Sequence, residues 1–228
     1  MSEVGGVLTE DGDIPLWIDI PEGYFALPLD RIGPALDEAD SMLTDVADAD
    51  QQPLIHAVTG VLSVLLADLA ARGALYCGIG RHTSPTDESA VTSSLVVSLL
   101  EFPGTRNPRL VLGDLVTAKA DANERGQADL VDLDGRPVLF FERTRHLPTP
   151  QLPGQPDVAE DATSPVFQLE AFVPSGDGSK LANIEFSTPF ESHGPEFRMM
   201  MAQLALSVSF EPPAEPSDFG EKIGQVLG

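Results

Sequence analysis

Four histidines and a single cysteine are the side chains of this chain best suited to metal binding or acid–base catalysis. They are His56, His82, His146, His193 and Cys77. Cys77 and His82 are five residues apart at the end of a predicted strand, and no second cysteine exists to complete a structural zinc site. His56 lies in an apolar helical segment, where a partly buried packing role is favoured over a ligand role. No metal site is therefore predicted around these residues.

Aspartates form two further groups with metal-binding potential. Asp45, Asp48 and Asp50 cluster where a predicted helix ends, and a hard cation could lie among them, although a solvated helix end is the simpler interpretation. Asp132-x-Asp134-Gly135 begins like a calcium loop, but Arg143 stands where the bidentate glutamate would be needed. A β-hairpin is therefore favoured over a calcium site at this point of the chain.

Motifs for covalent catalysis and for phosphate binding are missing. There is no G-x-S-x-G sequence, and neither Cys77 nor any serine has a histidine and an acid in a recognisable setting. Ser187, Thr188 and His193 likewise have no catalytic company, and Gly78-Ile-Gly80 lacks the third glycine of a nucleotide loop. The sequence thus predicts no catalytic, cofactor-binding or metal-binding residue and no cofactor. Enzymatic activity stays open, with a non-enzyme favoured.

Acidic residues dominate the charge. Asp and Glu outnumber Lys and Arg by 36 to 13, and the formal net charge is -23. Such a charge repels DNA, RNA and anionic lipid, so nucleic-acid binding is not expected. Residues 1–50 hold thirteen acids and one base, Arg31, and this asymmetry could steer a basic protein partner, although acidity that maintains solubility is the favoured explanation. The opening residues lack the features of a signal peptide and the lone cysteine excludes an intrachain disulfide, so a cytoplasmic location is expected.

The elements that would position these residues form one predicted domain. A flexible start at 1–13 precedes a single α+β domain at 14–210, and a tail at 211–228 follows. A helical hairpin at 30–72 is predicted to be inserted in this domain, with Asp30 as the N-cap of its acidic first helix. Its second helix, 54–72, is nearly all apolar. Because it contains His56, Gly60 and Asp68, a buried helix is favoured over a membrane span.

Alternating apolar and polar residues predict the strands, and helical spacing predicts a helix after Asn107 and a closing helix. Met199, Met200 and Met201 lie in the closing helix, where a core role is favoured over an adaptable binding surface. Five prolines and no periodicity mark 146–165 as a loop, for which disorder or partial order is favoured over a functional loop. The predicted strands are 14–20, 74–81, 91–102, 128–133, 137–143, 166–173, 181–187 and 206–210.

Two short motifs resemble the PsbP-like fold family, which includes the extrinsic protein of photosystem II and nuclear-transport relatives that bind a small GTPase. The first is IDIPEGY at 18–24, which resembles the opening strand and turn of that family. The second is IEFSTP at 184–189, followed by a helix and LSVSF at 206–210. The resemblance implies a central antiparallel sheet between helices, an α/β/α sandwich. It also implies a family that mostly binds other proteins and shares no catalytic set, so no site residue is carried over.

Two functions follow as hypotheses. The first is a non-catalytic cytoplasmic adaptor or chaperone-like protein that binds a protein partner, possibly a basic one, through the acidic helical hairpin, the proline-rich loop or the tail. The second is an enzyme or small-ligand-binding protein with a pocket between the sheet and the helices.

Overall fold

A seven-stranded antiparallel sheet organises the chain. The computed structural model describes residues 5–7, 16–151, 153–154, 157–159 and 161–212. The sheet has the order β3-β4-β5-β9-β8-β7-β6, and a separate two-stranded ribbon joins β1 to β2. In chain order the elements are β1 Gly5–Val7, β2 Leu16–Ile18, β3 Tyr24–Ala26, α1 Ile32–Val46, α2 Gln52–Ala71, β4 Ala74–Thr83, β5 Ala90–Glu101, α3 Pro108–Asp121, β6 Gln127–Leu133, β7 Arg136–Pro148, β8 Thr163–Pro174, β9 Lys180–Thr188, a 3₁₀ helix Glu191–Phe197 and α4 Arg198–Ser207.

Local sequence signals account for the tight connections. Asp134 and Gly135 both have positive φ, 51° and 78°, as a two-residue hairpin between β6 and β7 requires. Asn107 caps α3 by accepting a hydrogen bond from the Arg109 amide at 2.9 Å, and Pro108 follows in the first turn. The positive φ angles of Asp134 and Gly135 thus confirm the hairpin expected at this turn.

Helices cover both faces of the sheet, which confirms the predicted α+β sandwich. One face, called the back face here, packs on the 3₁₀ helix, α4 and β2. The opposite face, called the front face, packs on α1, α2 and α3. The back-face core includes Leu16, Ile18, Leu95, Val97, Leu169, Ala171, Ile184, Phe186, Phe197, Met201, Leu204 and Ala205. Burial of this apolar surface is the main force that holds the layers together.

The front face carries two smaller clusters at opposite ends of the sheet. Leu36 of α1 and Leu66 of α2 pack on Cys77 of β4. Val111 and Leu112 of α3 pack on β7, β8 and β9 through Leu139, Phe141, Phe172 and Leu181. Because each cluster covers only one end, the middle of the front face is left to other side chains.

The second helix of the hairpin is not buried, and this part of the sequence interpretation is wrong. Only Leu66 of α2 is buried, whereas Val64 is 72 % exposed. The contacts of α2 with the front-face cluster come from its second half, through Leu62, Leu66 and Leu69. Because α2 contacts the sheet along one line and α1 along another, its outer side lies in solvent although the helix is apolar. Within the described part of the chain, α2 is the one helix long and apolar enough to span a membrane by length and composition.

The proline-rich connection is shorter than predicted. Strands β7 and β8 continue into it, with His146 paired to Pro165 and Pro148 paired to Thr163. Proline is compatible with a strand at positions where the ladder needs no N–H donor, so the two prolines do not end the pairing. The segment without regular structure begins at Thr149, and its residues 152, 155, 156 and 160 lie outside the described residues.

The structure also differs from three further expectations, which concern the N-terminal start, the cap of α1 and the closing strand. Residues 5–7 form a strand within the start predicted to be flexible, whereas 1–4 and 8–13 lie outside the described residues. Arg31, at a positive φ of 51°, precedes α1 in place of the expected Asp30 cap. The closing strand at 206–210 is absent because α4 continues to Ser207, and only Ser209 bridges to Trp17. Most of the tail, 213–228, lies outside the described residues.

Candidate functional site

A groove crosses the uncovered middle of the front face, between α2 and the long hairpin of β7 and β8. Its volume is about 430 Å³, within the range of small-molecule sites. The groove is lined by aliphatic side chains of α2 and of strands β4, β5, β7 and β8, namely Leu65, Leu69, Ile79, Val96, Leu147 and Val166. The hypothesis of a pocket between the sheet and the helices thus has a candidate location.

Polar side chains form the floor of this groove. Gln168 of β8 and Ser187 of β9 face each other across the two strands, and Ser94 of β5 is paired with Ser187 on the other side. Two residue pairs further along, on the same face of the sheet, Glu185 of β9 lies beside Glu170 of β8. The groove is therefore apolar on its walls and acidic at one end of its floor.

Glu185 is a carboxyl in the groove whose protonation is affected by its surroundings. Burial raises the pKa of its carboxyl above the ordinary value of 4.5, and the neighbouring charge of Glu170 raises the pKa further. A hydrogen bond from Gln168 and the charges of Arg145 and Arg143 act in the opposite direction but do not cancel the effect. The carboxyl is thus held less ionised than an exposed glutamate.

The charges around Glu170 are already paired. Lys119 of α3 donates to Glu170 at 2.7 Å and to Glu124 at 3.1 Å. Arg143 forms a very short hydrogen bond to Glu124 and donates through Nε to Gln168 at 2.7 Å. Its other terminal nitrogen lies 3.8 Å from Glu170. Lys119, Glu124, Arg143 and Glu170 thus form one ion-pair cluster between α3, β7 and β8.

The outer side of the helical hairpin is a second candidate surface. Val61 follows Val58 by three residues, and Val64 and Leu65 follow Val61 by three and four, so all four lie on one side of the helix. Each of the four is at least 45 % exposed. At the end of α1, Met42, Leu43 and Val46 are also exposed. Monomeric proteins rarely expose so many neighbouring aliphatic side chains, and such patches mark interaction sites.

A third cluster brings together a serine, a histidine and an acid. Ser89 Oγ lies 3.4 Å from His193 Nε2, and His193 Nδ1 lies 3.2 Å from Glu196 Oε1. Side-chain hydrogen bonds from Thr86, from His193 and from Ser84 lower the pKa of the Glu196 carboxyl. The expectation that His193 has no catalytic company is wrong as regards neighbours. The order matches nucleophile, base and acid, but the serine contact is long and the groove does not reach it.

This third cluster fits a structural role. It ties the β4–β5 loop to the 3₁₀ helix, two elements more than a hundred residues apart in the chain. Two further cavities lie elsewhere, one of about 330 Å³ in the seam between α1 and α2 and one of about 420 Å³ between β6 and α4. Neither is lined by Ser89 or His193.

The histidines and Cys77 considered from the sequence do not come together. Cys77 and His82 lie on opposite faces of β4, since they differ by an odd number of positions. Cys77 is buried against α2, and burial raises the pKa of its thiol. His82 contacts Tyr24 and Phe197 on the back face.

The structure agrees with some of the other sequence interpretations and disagrees with others. His56 is exposed, not partly buried. It lies at the α1–α2 seam, where its Nδ1 is 2.9 Å from Asp40 Oδ1. Met201 is fully buried in the back-face core, as predicted, whereas Met199 is 71 % exposed. Asp45, Asp48 and Asp50 are all exposed. Among the described residues, no three His, Cys, Asp or Glu side chains are grouped so as to hold a metal ion.

Sequence reasoning missed Glu185 and the cluster around Glu170. Both acids alternate with apolar residues in β8 and β9, a pattern that is also typical of strands with one solvated face. Only the placement of α3 shows that the face is covered.

Comparison with known proteins yields no relative. No protein-family model matches the chain, and no curated protein is significantly similar to it. The likeness to PsbP-like proteins therefore stays a prediction.

Proposed function

We propose that this chain is a non-catalytic protein-binding module that uses the outer side of the α1–α2 hairpin to bind a basic amphipathic helix. The observation that carries the proposal is the exposed aliphatic side of α2, Val58, Val61, Val64 and Leu65. An amphipathic helix laid on such a surface is a common mode of recognition. A cytoplasmic location and a PsbP-like fold belong to the same proposal.

Charge selects the partner. The hairpin, residues 30–72, contains eight acids and two bases. Asp37, Glu38 and Asp45 of α1 are exposed beside the apolar residues of that helix. Lys and Arg on the flanks of a partner helix would be attracted to this acidic border while its apolar side covers the valines. Two copies of the hairpin would bring like charges together, and anionic lipid would be repelled.

Defined peptides test the proposal. An 18-residue helical peptide of Leu and Lys is compared with a Leu/Glu peptide of the same pattern and with a scrambled Leu/Lys peptide, using fluorescence anisotropy and the full-length protein. We expect saturable binding of the patterned basic peptide alone, weakened by added salt. The double variant Val61→Ser/Val64→Ser should weaken binding by about tenfold or more, since full burial of one valine side chain contributes about 1.5 kcal/mol.

The matched control is Leu110→Ser on α3. Leu110 is 64 % exposed, comparable with Val61 at 62 %, but lies on another helix. Equal binding of the acidic or scrambled peptide, or equal effects of the control and the double variant, contradicts the proposal. If the native protein forms a dimer that dissociates in the double variant, or if it binds anionic vesicles, the outer side of the hairpin has a different occupant.

A further inference from the structure

The groove on the front face is a separate surface from the partner-binding side of the hairpin, although Leu65 borders both. It combines aliphatic walls with one carboxyl on its floor. Small-molecule sites have this composition, mostly apolar with few polar groups that fix the orientation of the ligand. Glu185 is the one carboxyl among the side chains that line the groove, and it lies on β9 between Val96 of β5 and Glu170 of β8.

Glu185 is an acid without an ion pair. Among the described residues, no Lys or Arg nitrogen lies within 4.0 Å of its carboxylate, although such pairs are found for Glu170 and Glu124. The Ser187 hydroxyl lies 3.5 Å away, at the limit of a hydrogen bond. The Glu185 side chain is half-buried, and withdrawing a carboxylate from water without a cation is unfavourable unless a partner is supplied.

The neighbouring cations are occupied or distant. Lys119 is bonded to Glu170 and Glu124, and Arg143 is bonded to Glu124 and Gln168. Arg145 of β7 faces the groove from its exposed wall and interacts with Glu185 only through its charge. These groups, with Glu170, are the charges that face Glu185 from β7, β8 and α3.

We propose that the groove binds a small molecule that carries a primary ammonium group and an apolar body. The ammonium donates to the Glu185 carboxylate, and the apolar body lies between Leu65 and Leu69 of α2 and Leu147 of β7. An anionic head group is disfavoured because Glu170 and Glu185 stand side by side and the whole chain carries a charge of -23. The proposal does not depend on partner binding by the hairpin.

The protonation of Glu185 gives the proposed site a pH dependence. Burial holds the pKa of this carboxyl above its ordinary value of 4.5. An alkylamine stays protonated up to about pH 10. Binding should therefore strengthen as pH rises through the raised pKa of Glu185, because the carboxyl is ionised above this pKa and then attracts the ammonium group of the ligand.

The probe is 4-phenylbutylamine, with 4-phenylbutan-1-ol as its neutral match and 4-phenylbutanoate as the anion. Binding to the full-length protein is followed by ¹H–¹⁵N chemical shifts and calorimetry at pH 7.5. We expect the amine to bind about tenfold or more tightly than the alcohol, since a hydrogen bond to a charged group has that effect. The shifts should map to Leu69, Ser94 and Ser187, and the anion should not bind.

Glu185→Gln tests the role of the carboxyl. This variant should bind the amine no more tightly than the alcohol, and it should lose the pH dependence. Asp114→Asn, which removes an exposed acid of α3 paired with Arg106, is the matched control and should leave binding unchanged. If the Gln variant does not fold, the pH dependence of amine binding to the native chain between pH 5 and 7.5 tests the proposal instead. Flat binding over that range, equal affinities for amine and alcohol, or absence of saturable binding overturns the proposal.

Discussion

Lys119 and Glu170 form an ion pair that is almost entirely enclosed by the front layer. Their side chains are 10 % and 7 % exposed. The Lys119 ammonium also lies 4.4 Å from the ring centre of Phe141 and 5.1 Å from that of Phe172, close enough for cation–π attraction. The pair therefore fixes α3 on the sheet through charge as well as through apolar contact.

Removal of the lysine charge should be costly. Lys119→Met removes the cation closest to Glu170 and leaves this buried carboxyl beside Glu185 with only Arg143, at 3.8 Å, to pair with it, and we expect a loss of about 3–5 kcal/mol in the free energy of unfolding. Urea denaturation at pH 7 measures the loss. It should shrink at pH 5, because the stranded carboxyl then takes up a proton at lower cost.

Two further variants separate charge from packing. Lys119→Met combined with Glu170→Leu removes both charges and should recover most of the lost stability. Arg106→Met breaks an exposed pair with Asp114 and should change stability by about 1 kcal/mol or less. A double variant as unstable as the single one would show that the pair acts through packing alone.

At the scale of elements, α2 is held to the sheet by few contacts. Leu66 is its only buried residue, and it packs with Leu36 of α1 against Cys77 of β4. Leu62 and Leu69 pack against the same cluster while only half-buried, and the other residues of the 20-residue helix are half-buried or exposed. Such a helix is expected to open at a lower free energy than the central strands.

Leu66→Ala should destabilise the protein by about 2–5 kcal/mol, since it removes buried volume that the two helices cannot refill. It should also expose Cys77, the only thiol. Because only the accessible thiolate reacts, labelling by a thiol reagent under native conditions should accelerate. Both quantities are measured against the native chain.

Val64→Ala is the matched control for Leu66→Ala. Val64 lies two residues away on the same helix but is 72 % exposed, so stability should change by about 0.5 kcal/mol or less. Cys77 labelling should be unaltered. Equal acceleration by the two variants would mean that labelling proceeds through an opening that Leu66 does not control.

At the scale of the whole molecule, the net charge of -23 opposes folding. The folded chain brings its 36 acids closer together than the unfolded chain does, and the bases are too few to pair with them. Self-repulsion of this kind is long-ranged and therefore sensitive to salt.

Low concentrations of salt should stabilise the protein. Screening shortens from about 30 Å at 0.01 M to about 8 Å at 0.15 M, so Tm should rise across this range of NaCl in a calorimetric series. Sucrose at matched osmolality is the control and should not reproduce the rise over so small an increment. A fall in Tm with NaCl would show that attractive ion pairs, such as those around Glu124, outweigh the repulsion.

The sequence by itself determined the long strands of the sheet, the hairpin turn at Asp134-Gly135 and the start of a helix at Asn107-Pro108, because these depend on alternation and on the backbone preferences of neighbouring residues. It also determined the α+β class. The extension of β7 and β8 beyond the predicted boundary was not available locally, since pairing with a partner strand overrode the prolines.

Only the tertiary structure decided which apolar and polar residues are enclosed. The valines of α2 look like core residues in the sequence but lie in solvent, because the sheet offers that helix one line of contact. Glu170 looks like a solvated strand residue but is buried, because α3 returns over β8 and brings Lys119 to it. Periodicity reports which residues share a side of an element, whereas packing decides what covers that side.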